Sequence, residues 1–328
     1  MGCNIICILC WTNLALLGRA NLPYTLAHHK NFQRHNMTKT KLFRLLVESP
    51  EILVLPGIHD VLSAKIAEQT GFKAITCGGY SISATLLGQP DTSQLSVTEM
   101  AEQYARIYDA VDIPIFADGD TGFGNVTNVA RTVRLYERSG VAGMFIEDQV
   151  FPKRCGHMAG KDVIPTREMV SKLKAALDAR TDPDFIIMAR TDAIALHGVD
   201  DAISRLETYR GVGADLLFAD APEDIGQMRR LCDELDGPMM ANIIDGGRTP
   251  ALSVKELDEL GFAVATHSLS ATYVVAKAMQ DYMAHLFEHG STDDYTDHMI
   301  TFDKFNEIVG LSDLRRREAI YSKFMDDS

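Results

Sequence analysis

The chain is short of the features that would send it to a membrane, a nucleic acid or a structural metal. Its six cysteines stand at positions 3, 7, 10, 77, 155 and 232. Cys7 and Cys10 have no second pair of the kind a zinc site needs, and the three beyond residue 10 suit a reduced, cytosolic-type protein. Long apolar runs are missing too. The stretch Cys3–Leu17 is too short to span a bilayer comfortably and lacks the basic start of a secretory signal. Positive charge is scarce, with 32 Lys and Arg against 45 Asp and Glu and a net charge of −13. No basic stripe offsets that balance, which excludes nonspecific nucleic-acid binding. A Gly-rich phosphate turn is absent after the first apolar run, where Pro56-Gly57-Ile58-His59-Asp60 stands instead. This argues against a doubly wound dinucleotide-binding sheet. There is no internal repeat and no low-complexity linker.

The first 36 residues differ from the rest, with no acid before Glu48. Gly2 invites myristoylation, but Ile6 occupies the place where Ser or Thr is expected. Arg19, Lys30 and Arg34 without acids fit a mitochondrial transit peptide loosely. Residues 1–36 are therefore expected to be an extension, whether disordered, targeting or a misplaced start. Met37 then opens a single domain over 37–328. The expected location is cytoplasmic, or mitochondrial if the extension is a transit peptide.

From Glu51 a regular rhythm begins. Short apolar runs at Ile52–Leu55, Ala74–Cys77, Ile113–Ala117, Gly143–Ile146, Phe185–Ala189, Asp215–Phe218, Pro238–Ala241 and Phe262–Thr266 read as strands buried on both faces. Amphipathic stretches separate them, among them Val61–Thr70, Val126–Ser139, Thr166–Ala179 and Asp200–Arg210. Helical patterns at Leu269–His289 and Phe302–Phe324 follow the last strand. Eight strand–helix units predict a (β/α)8 TIM-type barrel with additional C-terminal helices from about residue 290. Phe305, Ile308, Leu311, Ile320 and Phe324 in that tail need an apolar partner, on the same barrel or on a neighbouring subunit.

In such a barrel the chemistry collects at the C-terminal ends of the strands. Those ends read Gly78-Gly79-Tyr80-Ser81, Asp118-Gly119-Asp120, Glu147-Asp148, Arg190-Thr191-Asp192, Asp220, Asn242 and His267-Ser268. Helix and loop capping accounts for some of these, such as Asp192 and Ser268. It does not account for Asp118, Asp120 and Glu147 on adjacent strands. These are hard oxygen donors that repel one another, and a divalent cation relieves the repulsion. Mg2+ fits best, since it accepts few protein ligands and keeps waters, with Mn2+ as a substitute. Arg190, Arg154, Lys153, His157 and Arg248 offer cations for the carboxylates of an organic anion. Gly78 and Gly79 let backbone N–H groups approach it. The run Lys153-Arg154-Cys155-Gly156-His157 sets a thiol among cations, as a nucleophile or a proton donor. It lies in Val150–Asp162, a segment with glycines at 156 and 160 that is able to close as a lid.

These motifs together resemble the isocitrate lyase/phosphoenolpyruvate mutase superfamily, from about Leu42 onward. The resemblance rests on Gly88-Gln89-Pro90-Asp91, Asp118-Gly119-Asp120-Thr121-Gly122-Phe123-Gly124, Ile146-Glu147-Asp148-Gln149, the Lys153–His157 run, Met188-Ala189-Arg190-Thr191-Asp192-Ala193 and Asn242. The chain looks most like the superfamily's 2-methylisocitrate and 2,3-dimethylmalate lyase branches. The resemblance implies Mg2+ on Asp118 directly, with Asp91, Asp120 and Glu147 holding its waters. It implies substrate contacts from Gly78, Gly79, Arg190 and Asn242, and Cys155 as catalytic acid/base, tuned by Lys153 and His157. Tyr80, Arg154, Gly156, Asp220 and Ser268 join the expected substrate-binding set. The expected reaction is retro-aldol cleavage of a 2-hydroxy di- or tricarboxylate to a keto acid and a carboxylate. C-terminal helices exchanged between subunits, and a homotetramer, are further implications.

Three departures shape the substrate expectation. Met158-Ala159 follows His157 where methylisocitrate lyases commonly have Arg-Pro, which points away from a third carboxylate. Tyr80 stands where many of them have Gly and shrinks the pocket. Asp220 stands where Glu is usual. A smaller dicarboxylate, such as a substituted malate, is expected. Competing readings are a carboxyphosphonoenolpyruvate phosphonomutase-like isomerase, an oxalate-forming oxaloacetate hydrolase, and a non-catalytic assembly protein. Phosphoenolpyruvate mutase itself has no Cys in this loop.

Overall fold

The computed structural model describes residues 37–156 and 160–322. The expectations that fall on residues 1–36, on His157-Met158-Ala159 and on Phe324 lie outside the described residues. The described residues from Thr38 onward belong to one compact unit.

Eight strands are formed: β1 Leu53–Pro56, β2 Ile75–Cys77, β3 Ile115–Asp118, β4 Gly143–Glu147, β5 Ile186–Thr191, β6 Leu216–Ala219, β7 Met239–Asn242 and β8 Val264–His267. They pair in parallel in the order β1-β8-β7-β6-β5-β4-β3-β2. A bridge between Gly57 and Thr76 completes the ring, where the Ile58 N–H donates to the Thr76 carbonyl at 2.8 Å. The result is a (β/α)8 barrel, as the alternation predicts. Most strands run one or two residues past the end of the apolar run. Glu147 pairs with Arg190 and Asn242 with Thr266 in the ladders. An apolar run stops at the first polar side chain, but the backbone ladder is indifferent to it.

The period of two along each strand positions the chemistry. Leu55, Phe116, Phe145, Met188, Phe218, Met240 and Val264 point into the barrel. Their neighbours Ile115, Ala117, Met144, Ile146, Ile187 and Leu217 point outward, into the layer shared with the helices. Two residues beyond the inward set, on the same face, stand Asp118, Glu147, Arg190, Asp220 and Asn242. The opposite end is stoppered. Helix Lys39–Val47, capped by the Thr38 hydroxyl accepting from Lys41 N–H, inserts Phe43 and Val47. The Phe43 ring stacks on Phe116 at 5.3 Å between centroids.

Helices Val61–Thr70 and Thr166–Ala179 have the expected bounds. The tail does not. The single helix expected over Phe302–Phe324 is two, Phe302–Ile308 and Leu311–Ser322, broken at Gly310 with φ +81°. The apolar spacing runs across the break, which is why it reads as continuous. Helix Phe302–Ile308 lies beside Val61–Thr70, with Gln69 Nε2 donating to the Ile308 carbonyl at 3.1 Å. The long helix Ser270–His289 buries none of its residues, leaving Val274 67% and Phe287 95% exposed. No helix among the described residues is long and apolar enough to cross a membrane.

Candidate active site

The C-terminal mouth of the barrel opens into a cavity. Its rim brings together Gly78, Gly79 and Tyr80 after β2 with Asp91 and Asp118. Arg190, Asp220, Asn242 and Ser268 complete the ring from β5 to β8, and Lys153, Cys155 and Gly156 lie against them. The floor is apolar, made by Phe116, Phe145, Phe218 and Met240, with Ile244 and Leu269 to the side. Asp120 and Glu147 are buried behind the rim. Two expected cations are elsewhere. Arg154 is exposed, with its guanidinium beside Gly160. Arg248 is also exposed, 3.8 Å from Glu223. His157 lies outside the described residues.

On the β3–β4 side the acids are held by the backbone. Asp118 accepts the Gly79 N–H at 2.7 Å on Oδ2 and the Asp120 N–H at 2.8 Å on Oδ1. The Gly79 N–H, expected to meet substrate, thus serves to aim Asp118. Tyr136 donates to the Asp118 carbonyl at 2.9 Å, and the Tyr104 hydroxyl accepts the Asp118 N–H at 2.9 Å. Beyond the strand end Asp120 adopts a left-handed backbone, φ +48°. For a non-Gly residue this strain costs about 1 kcal/mol or more, and such residues cluster at functional sites. Lys153 Nζ sits 2.7 Å from Asp91 Oδ2 and 2.6 Å from Asp120 Oδ1. The Asp120 contact is ionic rather than an aligned hydrogen bond. Both oxygens of Glu147 are buried without a hydrogen-bond donor, and Arg190 Nε lies 3.3 Å away. Burial pushes Asp120 up to about 7, opposed by Lys153 and reinforced by Asp118 and Asp91. Burial likewise raises Glu147 well above the usual carboxylate range, against Arg190 and Lys153. For Lys153, burial opposes the charge but the surrounding acids outweigh it and hold the ammonium protonated.

On the β5–β6 side the pairing is fuller. Arg190 donates from Nε to Asp192 Oδ2 at 2.9 Å and from Nη2 to Asp192 Oδ1 at 3.0 Å. Its Nη2 is also 3.4 Å from Asp220 Oδ2. The guanidinium lies over an aromatic shelf, 5.2 Å from the Phe218 ring centroid and 5.6 Å from that of Phe145. Burial would raise the Asp192 carboxyl, but Arg190 and Lys161 outweigh it and hold it well below the usual range. Gly156 lies so close to this group that a Cβ would strike the Asp220 carboxylate and the Arg190 guanidinium. Ser268 Oγ donates to Asn242 Oδ1 at 2.7 Å, so the amide is oriented with its oxygen engaged. Asp148, adjacent to Glu147 in sequence, points the other way. It accepts from Thr191 Oγ1 at 2.7 Å and Tyr209 at 2.9 Å and ties the strand ends to the helix layer.

Sequence reasoning missed three groups here. Asp192 reads as a cap but is the hub of the Arg190 side. Gln149 and Lys161 also donate to Asp192; Gln149 stands in a family motif without an assigned role, and Lys161 carries no signal beyond its nearness to the thiol.

Comparison with known proteins places relatives around this geometry. The family described as Phosphoenolpyruvate phosphomutase matches residues 43–287. The chain is 43% identical to 2,3-dimethylmalate lyase of Eubacterium barkeri over 87% of this chain and 99% of that one. It is 43% identical to the chloroplastic carboxyvinyl-carboxyphosphonate phosphorylmutase of Arabidopsis thaliana, over 85% of this chain and 84% of that one. Among solved structures, oxaloacetate acetylhydrolase in complex with 3,3-difluorooxalacetate superposes with a TM-score of 0.82 at 33% identity. That match covers 87% of this chain and 97% of that one.

Proposed function

The chain belongs to the phosphoenolpyruvate phosphomutase family and is an enzyme of the carbon–carbon lyase kind, and from that premise we propose that it cleaves a substituted 2-hydroxy dicarboxylate, of the 2,3-dimethylmalate type, with Mg2+. The observation that carries this reading is one cavity lined at once by Cys155, Arg190 and Asp118 above an apolar floor.

The donor set suits the ion. Asp91, Asp118, Asp120 and Glu147 are hard oxygen donors, and buried oxygens of Asp120 and Glu147 lack a hydrogen-bond donor. Among the described residues no three carboxylates converge on a single metal position. The family resemblance implies an ion held directly by Asp118 and otherwise through water. When bound, Mg2+ supplies Lewis-acid stabilisation of a substrate oxygen.

The chain's own groups do the rest. Arg190 grips one carboxylate and opposes the charge that develops as the C2–C3 bond breaks. The Asn242 NH2 and the Tyr80 hydroxyl orient the oxygens near them. The substrate hydroxyl gives up its proton to solvent and becomes the ketone of a keto acid such as pyruvate, and solvent later returns a proton to the Cys155 thiolate. The bond pair passes to the other fragment, an enolate-like carboxylate. The Cys155 thiol delivers a proton to that carbon and completes a monocarboxylate such as propionate. Phe145, Phe218, Met240, Ile244 and Leu269 receive the alkyl substituents. They favour a branched malate over oxaloacetate, which has no alkyl group to bury. Arg154 does not line the cavity, so a third carboxylate would lack this partner there. The exposed apolar positions of the tail, Val274, Phe287 and Phe302 among them, suit exchange of these helices within a homotetramer, and a monomer in sedimentation would count against it.

The test is to incubate the protein with Mg2+ and a panel of malates, methylisocitrate, oxaloacetate and phosphonopyruvate, following products by NMR. The expected outcome is pyruvate and propionate from 2,3-dimethylmalate, abolished by exhaustive chelation. Oxalate as the main product, or turnover of phosphonopyruvate alone, would replace the lyase reading. Full activity after chelation would remove the metal.

A further inference from the structure

Lys161 is buried, with 3% side-chain exposure, beside the two carboxylates that also hold Arg190. Its ammonium lies 2.9 Å from Asp192 Oδ1 and 3.6 Å from Asp220 Oδ2. It also donates to the Gly156 carbonyl. Gly156 is in turn packed against the Arg190–Asp220 pair, with no room for a Cβ. The residue that follows Cys155 is thus fixed twice, through its oxygen by Lys161 and through its α-carbon by the pair beneath. Gln149 repeats the arrangement on the other side of the thiol. Its Nε2 donates to the Arg154 carbonyl at 2.9 Å and its Oε1 accepts the Arg154 N–H at 3.1 Å. The same Nε2 donates to Asp192 Oδ1 at 3.1 Å. Asp192 therefore joins the substrate-gripping arginine to both residues that hold the backbone around the thiol.

We propose that Lys161 is a positioning residue for the lyase reaction. It fixes the Gly156 peptide, and through it the Cys155 thiol, relative to Arg190. It also takes up negative charge of Asp192 and Asp220 that would otherwise fall on Arg190 alone. A proton donor misplaced by about 1 Å can cost a hundredfold in rate, so a fixed peptide beside the thiol bears on turnover more than on affinity. The assignment rests on the proposed role of Cys155 as the acid. A salt bridge that served the fold alone would leave the thiol's reactivity unchanged once the variant had folded.

The test compares Lys161→Gln, Lys161→Met and Lys161→Arg with the parent, as full-length chains. The first readout is the rate of Cys155 alkylation by iodoacetamide, without substrate or metal, followed by mass spectrometry. The Cys232 peptide serves as the internal control. The second is kcat and KM on the substrate found by the panel. The expected result is Cys155 alkylation faster by about tenfold in Lys161→Gln at an unchanged Cys232 rate. With it, kcat falls by roughly 10- to 100-fold with KM nearly constant, and Lys161→Arg recovers part of both. A parental Cys155 rate in a folded Lys161→Gln or Lys161→Met overturns the proposal. So does a parallel rise at Cys232, which is general loosening, or failure of both neutral variants to fold, which makes the lysine a structural one. The alkylation arm needs no substrate, so it stands or fails apart from the proposed reaction.

Discussion

The two sides of the barrel mouth use the same groups in opposite balance. On the β3–β4 side Asp91, Asp118, Asp120 and Glu147 gather around the ammonium of Lys153, with Arg190 reaching Glu147 from across the mouth. On the β5–β6 side Asp192 and Asp220 meet both Arg190 and Lys161. Burial pushes the carboxyls of Asp120, Glu147 and Asp192 upward. The partners decide the outcome, since Asp120 and Glu147 stay raised while Asp192 is driven down. One side is short of positive charge and the other is more fully paired, with Asp220 Oδ2 in ionic contact only. On the proposed reading a divalent cation would take the side with the deficit, and the substrate's carboxylate the side where a paired arginine is already fixed.

The largest effect expected is at the thiol that lies between the two sides. Cys155→Ser should lower kcat by about 10²- to 10⁴-fold, the usual worth of a positioned general acid, with KM within a few-fold. Near-parental turnover in steady-state assays would take the role away from the sulfur. Next comes a matched pair of acid substitutions. Asp192→Ala leaves Arg190 and Lys161 buried with too little opposing charge and should cost about 3–5 kcal/mol in urea unfolding. Asp120→Asn, measured without metal near pH 7, removes a carboxylate from the crowded side and should leave stability unchanged or raise it. It should also raise the Mg2+ concentration needed for activity. Equal losses in the two variants would erase the contrast.

A pH dependence with opposite signs accompanies this pair. Asp120 has a folded value of about 7 against roughly 3.9 when unfolded. Between those values the folded chain keeps a proton that the unfolded chain has lost. Its contribution therefore destabilises progressively as pH rises from about 4 to about 7. Asp192, held low by Arg190 and Lys161, contributes stability that is present above about pH 4 and lost on acidification below it. Thermal unfolding in a chelator should therefore show stability falling between pH 5 and 7, and Mg2+ should flatten the fall. A flat profile in the chelator would mean that the acid side carries no deficit.

Much of this was legible in the sequence because strand geometry is simple. A period of two carries the inward face from Phe116 to Asp118, from Phe145 to Glu147 and from Met188 to Arg190, so the ends of the apolar runs mark the site. What periodicity does not encode is contact between distant strands and loops. Nothing local distinguishes Asp192 as a hub from Asp192 as a cap, or Lys161 from any loop lysine. Their meaning arises only when β5 stands beside the thiol segment. Arg154 shows the converse. Its place next to the thiol suggested a ligand for the substrate, but Lys153 and Cys155 on either side line the cavity and Arg154 does not. The tail misled for a third reason, because an apolar spacing survives a break at Gly310 that only the left-handed backbone reveals.

The aromatic stopper formed by Phe43 on Phe116 bears on traffic through the enzyme. A barrel closed at its foot is a blind well, so both fragments of a cleaved substrate must climb out past the rim by which the intact molecule descended. The backbone that holds the sulfur lies on that rim.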